Sequence, residues 1–213
     1  DDAAATLEEK IRLGLKTFGP SHEQMLSAMN GLAMTYTDLG RLDEASVLLE
    51  NVAVITVNKL GLEDPKTLDV RSNLAWTLYV KGDYLRAEAL NVELLEIKRR
   101  VLGPEEPETL TSLNNLALIY RQTGRYKLAE AAHREEWTIS RRLMGNDHPE
   151  VLVSMLNLSR VLMSSNQFAE AQSYKSLHKK AIVIDTHNDF ISTGIEKNKR
   201  FDQDLKGITH SDL

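Results

Sequence analysis

The chain repeats itself every 42 residues, and a fixed period of this size decides the architecture before any other feature does. Leu26, Leu68, Leu110 and Leu152 stand one period apart, as do Leu32, Leu74, Leu116 and Leu158, each of these followed by Ala33, Ala75, Ala117 or Ser159. Gly40, Gly82, Gly124 and Asn166 form another column; Leu42, Tyr84, Tyr126 and Phe168 a second; Ala45, Ala87, Ala129 and Ala171 a third. A second glycine column runs Gly19, Gly61, Gly103 and Gly145, and Pro65, Pro107 and Pro149 follow the last three of these.

Each unit therefore reads as a helix of about four turns, a glycine break, a second helix and a Gly-x-x-x-Pro connection. In the third unit Leu110, Leu113, Leu116, Ala117 and Tyr120 fall on one face of such a helix. Gly124 then ends it, because glycine accepts the left-handed conformation found at helix ends. A proline that opens the next unit fits the first helical turn, where its missing N–H is no loss. The alanine column marks the close approach of the two helices of one hairpin. Four hairpins are expected to begin near residues 24, 66, 108 and 150, with Leu7–Phe18 as the second helix of an earlier unit. One hairpin cannot bury its apolar face alone, so the expected fold is all-α, a solenoid of stacked hairpins.

Composition narrows the function classes. Apolar residues make up 42% and charged residues 27%, as in ordinary globular proteins, and the formal net charge of −5 supplies no basic surface for nucleic acid. No apolar run approaches the roughly 20 residues of a membrane span. The absence of cysteine rules out disulfides and thiolate metal sites and fits a reducing, cytoplasmic compartment.

The run from Leu110 to Glu130, Leu-Thr-Ser-Leu-Asn-Asn-Leu-Ala-Leu-Ile-Tyr-Arg-Gln-Thr-Gly-Arg-Tyr-Lys-Leu-Ala-Glu, resembles the 42-residue tetratricopeptide repeats of kinesin light chains. The likeness spans about residues 5–174. It implies a right-handed superhelix whose concave groove, lined by the first helix of each hairpin, takes a peptide or a partner protein. It also implies that the asparagine before the Leu-Ala pair faces the groove. Matching positions are Asn73, Asn115 and Asn157, while the first unit has Gly31 and carries its asparagine at Asn30. An amide suits a peptide backbone because it offers donors and an acceptor. The same asparagines would equally serve to bond a neighbouring helix, and both uses stay open here. Arg71, Asn114, Leu118 and Arg121 are placed on or near that face, with Arg121 suited to an acidic ligand group.

The period fails near the end. Residues 187 and 191 should be glycine and proline but are His187 and Ile191, so the array is assigned to residues 1–174 and a non-repeat tail to residues 175–213. Ala181-Ile-Val-Ile-Asp185 reads as a short buried strand. In an extended chain Asp185, His187 and Asp189 share a face, and His-x-Asp is a short pattern that suits zinc but more often marks a polar turn. The tail resembles the opening of a zinc-dependent membrane dipeptidase, through Ala181-Ile-Val-Ile-Asp-Thr-His-Asn-Asp-Phe-Ile-Ser, Phe201-Asp-Gln-Asp-Leu and Thr209-His-Ser-Asp-Leu213. That likeness implies His187 and Asp189 as metal ligands of a TIM-like barrel, which needs about 250 residues to close. The tail is expected to be partly disordered or to cap the array with Ile182, Val183 and Ile184.

No complete catalytic constellation occurs. The expectation is a non-catalytic scaffold that binds a peptide or partner protein, with no cofactor of its own, zinc entering only with a completed barrel. The second reading is the front of a fusion between a helical adaptor and a metallodipeptidase. Apolar end faces of such an array also favour end-to-end self-association.

Overall fold

A computed structural model describes residues 2–165, 167, 170–171 and 173–174. Among them are eight helices and no strand: α1 (Asp2–Phe18), α2 (Glu23–Asp38), α3 (Leu42–Leu60), α4 (Pro65–Lys81), α5 (Tyr84–Val101), α6 (Pro107–Gln122), α7 (Tyr126–Met144) and α8 (Pro149–Ser164). The fold is all-α, and each hairpin starts within a residue of the position its period predicts. Positions 166, 168 and 169, the proposed strand at 181–185, and the His187–Asp189 pair lie outside the described residues.

Local chemistry sets the helix limits. Pro65, Pro107 and Pro149 open α4, α6 and α8, where a missing N–H is harmless. The Asp64 carboxylate accepts from the Lys66 N–H, and the Nδ1 atoms of His22 and His148 accept from the N–H groups of Gln24 and Glu150 at 3.3 Å. These two histidines are thereby caps. At the far end of α4, Gly82 adopts φ 87°, ψ 6°, and its N–H returns to the carbonyls of Leu78 and Tyr79. A side chain there would strain the backbone.

The helices fall into two compact units, residues 1–139 and 140–213. In the first, each helix from α1 to α6 packs on the next, and α2 also packs on α4 and α4 on α6. Ala33, Ala75 and Ala117 on first helices, and Ala45, Ala87 and Ala129 on second helices, are completely buried. They let the helices approach, while the leucines around them, Leu49, Leu78 and Leu94, supply the apolar area. Each such leucine contributes about 1.5–3 kcal/mol. A buried bond between the Thr37 and Thr77 hydroxyls, 2.9 Å long, joins α2 to α4. Second helices are linked differently, by exposed ion pairs, Arg86 to Glu50 at 2.6 Å and Arg99 to Glu135 at 2.5 Å, while Arg125, just before α7, makes a partly buried pair with Glu88 of α5. Exposed pairs of this kind contribute at most about 1 kcal/mol each, so they fix register more than stability.

In the second unit Leu158 and Leu162 of α8 pack with Ala171, Met163 and Tyr174, and the Ser159 hydroxyl donates to the Ala171 carbonyl at 3.1 Å.

Candidate functional site

Side chains left outside the core of the first helices form a line along α2, α4 and α6. Met34 on α2, Trp76 and Val80 on α4, and Leu118 on α6 supply its apolar members; Trp76 is 36% and Val80 42% exposed. Trp76 is held by Tyr79, with ring centroids 5.4 Å apart. Amides are interleaved with them. Asn73 Nδ2 donates to Asn30 Oδ1 at 3.0 Å, and Asn30 Nδ2 donates to Asp69 Oδ2 at 2.9 Å, so a chain of bonds crosses from α4 to α2 and back. Asn30 thus bridges two hairpins from one position before the repeat column. Asn73 keeps its carbonyl oxygen and one N–H for another partner. Among the described residues no side chain bonds the half-buried amide of Asn115.

The other expected positions are distributed as follows. Asn114 and Leu118 are half-buried on α6, as is Arg121, which forms no salt bridge among the described residues. Arg71 is buried, and its guanidinium reaches Glu93 of α5 at 2.5 Å. It points into its own hairpin, because two residues of α-helix turn it about 200° from Asn73. Asn157 belongs to α8 in the second unit, where its Oδ1 accepts from Arg160 at 3.3 Å. No group of three or more His, Cys, Asp or Glu side chains suited to a metal occurs among the described residues. His133 is fully buried on α7, its Nδ1 3.1 Å from Glu136.

Two seams between hairpins complete the geometry. Between α2, α3 and α4 lies a cleft of about 350 Å³, lined by Leu26, Thr56, Leu60, Pro65 and Val70 together with Asn30, Asp69 and three charged side chains. Of the charges, Lys66 bonds Glu23, and Lys59 donates to the Ser21 carbonyl at 2.7 Å. The Lys66 bond and charge, helped by Lys59, hold the Glu23 carboxyl below the usual carboxylate range. In the next seam Lys98, 4% exposed, donates from Nζ to Ser72 Oγ at 2.9 Å, Ser112 Oγ at 3.1 Å and the Glu108 carbonyl at 3.2 Å. Burial pushes its pKa below the ordinary lysine value, and the charges of Glu108 and Asp69 oppose that shift.

The model of the tetratricopeptide repeat family matches residues 24–91 and 66–136. The chain belongs to the tetratricopeptide repeat family. Two crystal structures of a kinesin light chain-like protein of Podosopora anserina with nearly identical TPR-like repeats are similar to it. The first, a single-substitution variant, shares 27% identity at a TM-score of 0.77, covering 84% of this chain and 85% of that one. The second shares 26% at the same TM-score, covering 88% and 89%. BtubC (BKLC) from P. vanneervenii, at 22% identity and a TM-score of 0.70 over 77% of this chain and 65% of that one, shares the fold. No curated protein sequence matches. As in other tetratricopeptide repeat proteins, the fold is a scaffold for protein interaction, and no helix among the described residues is long and apolar enough to cross a membrane.

Sequence reasoning on the tetratricopeptide units missed the second seam. The signal was the column Thr56, Lys98, Ser140, in which a lysine replaces small hydroxyl residues, all three of them buried.

Proposed function

We propose that this chain is a non-catalytic scaffold that holds a peptide segment of a partner protein along the line of α2, α4 and α6. The observation that carries the reading is the partly exposed Trp76, its ring tilted against Tyr79, one helical turn after the amide of Asn73 on α4, with Asn115 as the repeat counterpart of Asn73 on α6. A rigid aromatic anchor with amides on neighbouring first helices suits an extended backbone: the ring supplies desolvated area, and the amides supply direction. Asn115, Leu118 and Arg121 continue the surface on α6.

The same reading separates an array over residues 1–174 from a tail over residues 175–213 and favours a cytoplasmic protein partner over nucleic acid, in keeping with the net charge of −5 and the lack of cysteine. It makes the groove, not the tail, the working part. The fusion reading rests on the sequence of the tail alone.

Peptides selected by display on the full chain supply the test, with affinities measured by calorimetry. Asn73→Ala and Asn115→Ala should each weaken binding about fivefold to tenfold, as loss of a hydrogen bond worth roughly 1 kcal/mol requires. Trp76→Ala should weaken it by at least about thirtyfold. Arg99→Ala, on a second helix, serves as the control and should change nothing. Unchanged affinity in Asn73→Ala/Trp76→Ala would place the ligand elsewhere and end the proposal.

A further inference from the structure

Trp76, Tyr79 and Tyr84 form a row of aromatic rings from the last turns of α4 to the start of α5. Ring centroids are 5.4 Å apart from Trp76 to Tyr79 and 5.8 Å apart from Tyr79 to Tyr84. The repeats supply the comparison. The column of Trp76 holds Met34 and Leu118, and that of Tyr79 holds Thr37 and Arg121; only Tyr84 recurs, as Tyr126. Packing of a hairpin therefore does not require the row, which is particular to the second unit.

Three properties narrow what can lie on it. Both centroid distances are those of rings in direct contact, so no side chain of a partner can insert between them, and the surface accepts something laid flat. Its polar groups are donors. The indole N–H of Trp76 can only donate and bonds nothing among the described residues. The Tyr79 oxygen already accepts from Gln122 Nε2 at 3.4 Å, which leaves the hydroxyl proton to donate outward. Finally, the apolar area is small, Trp76 and Val80 being only partly exposed, so a ligand that must first be ordered would gain little.

We propose that this row receives a proline-rich segment in the polyproline II conformation, which makes the partner in the scaffold reading, on which this inference rests, a proline-rich chain. A pyrrolidine ring is flat enough to lie on an indole or phenol face without a pocket. Three residues of polyproline II rise about 9 Å, a length comparable with the row of three rings. Its carbonyls bond nothing within the segment and can accept from Trp76 and Tyr79, while proline brings no N–H that would need an acceptor. The conformation is set before binding, so a shallow patch suffices. A helical partner fits less well, because its side chains need holes, and the touching rings leave none.

The probe is a blocked proline decamer, titrated into the full chain and followed by NMR of the indole N–H and side-chain amide signals. A glycine-serine peptide of the same length is the control. The Trp76 indole signal, assigned by its loss in Trp76→Phe, should move saturably with the decamer, with half-saturation at or below about 1 mM, and stay still with the control. Trp76→Ala should weaken the decamer at least about tenfold. Tyr79→Phe, which keeps the ring and removes the donor, should weaken it about threefold to tenfold. Circular dichroism of each variant checks that the fold is kept. No saturation, equal shifts with the control peptide, or unchanged affinity in a folded Trp76→Ala variant would overturn the proposal. Peptides selected by display separate it from the scaffold reading. If they lose affinity in Asn73→Ala and Trp76→Ala yet carry no excess of proline, and the decamer does not bind, the groove stands and the proline-rich partner falls.

Discussion

Replacing Lys98 by methionine removes a buried charge while keeping most of its stem, and the surroundings of the ammonium determine the sign of the effect. None of its acceptors is orphaned by the change: Ser72 Oγ still donates to the Leu68 carbonyl at 2.7 Å, and Ser112 Oγ to that of Glu108 at 3.2 Å. Three hydrogen bonds are lost, each worth about 0.5–1.5 kcal/mol net. Against this stands the desolvation of an ammonium, several kcal/mol. Because burial holds the Lys98 pKa below its ordinary value in spite of Glu108 and Asp69, the folded state disfavours the charged form on balance. Lys98→Met should therefore equal the parent at neutral pH or exceed it by up to about 2 kcal/mol. Lys98→Ala, which also removes three methylenes at about 0.8 kcal/mol each, should lose about 2.4 kcal/mol or more and leave a second open seam.

Urea unfolding followed by circular dichroism at neutral and alkaline pH separates charge from packing. A lysine pKa lower in the folded chain than the unfolded value of about 10.4 means that between the two values the unfolded state binds more protons, so stability rises with pH there. Below the folded pKa the cost of the charge is complete and constant. Any advantage of Lys98→Met should accordingly shrink as pH climbs through that window. A loss above about 3 kcal/mol in Lys98→Met at neutral pH, or an advantage that grows with pH, would refute the reasoning.

Two further perturbations test the array itself. Ala87, wholly buried at the close approach of α4 and α5, has no room for a larger side chain; Ala87→Leu should cost about 1–3 kcal/mol or more, read as a lower urea midpoint, and a neutral result would show that the alanine column is not steric. Gly82 meets no atom within 4 Å of an added Cβ, yet its φ is +87°; Gly82→Ala should cost about 1 kcal/mol through conformation alone, with Gly82→Asn milder, and equal losses in both would point to a clash instead.

Hairpin limits and the alanine columns were legible in the sequence because they answer to local rules. Proline fits the first turn of a helix and not its interior, glycine favours the left-handed turn just past a helix end, and a methyl group is about the largest side chain that fits where two backbones nearly touch. Hence α2, α4, α6 and α8 begin at Glu23, Pro65, Pro107 and Pro149, one residue before the positions read from the period. Orientation was harder. The repeat pattern puts Arg71 on or near the groove face, but rotation around α4 carries it to Glu93. The asparagines show why a column alone leaves a role open: Asn73 bonds Asn30 because α2 and α4 lie side by side, a distance no periodicity states.

Lys98 was hidden for a different reason. In Glu96-Ile97-Lys98-Arg99-Arg100 it reads as one member of a solvated charged run, and charge runs are ordinarily solvated. Compared down its column, however, it is the exception among Thr56 and Ser140, and it sits where both of those are buried. A repeat protein carries its own controls in this sense. The fold requires that every seam be built on the same backbone, so a residue that departs from its column changes one seam while the others show what that seam would be without it. Lys98 and the open cleft beside Thr56 are two solutions of a single packing problem, one seam filled from within and the other left open.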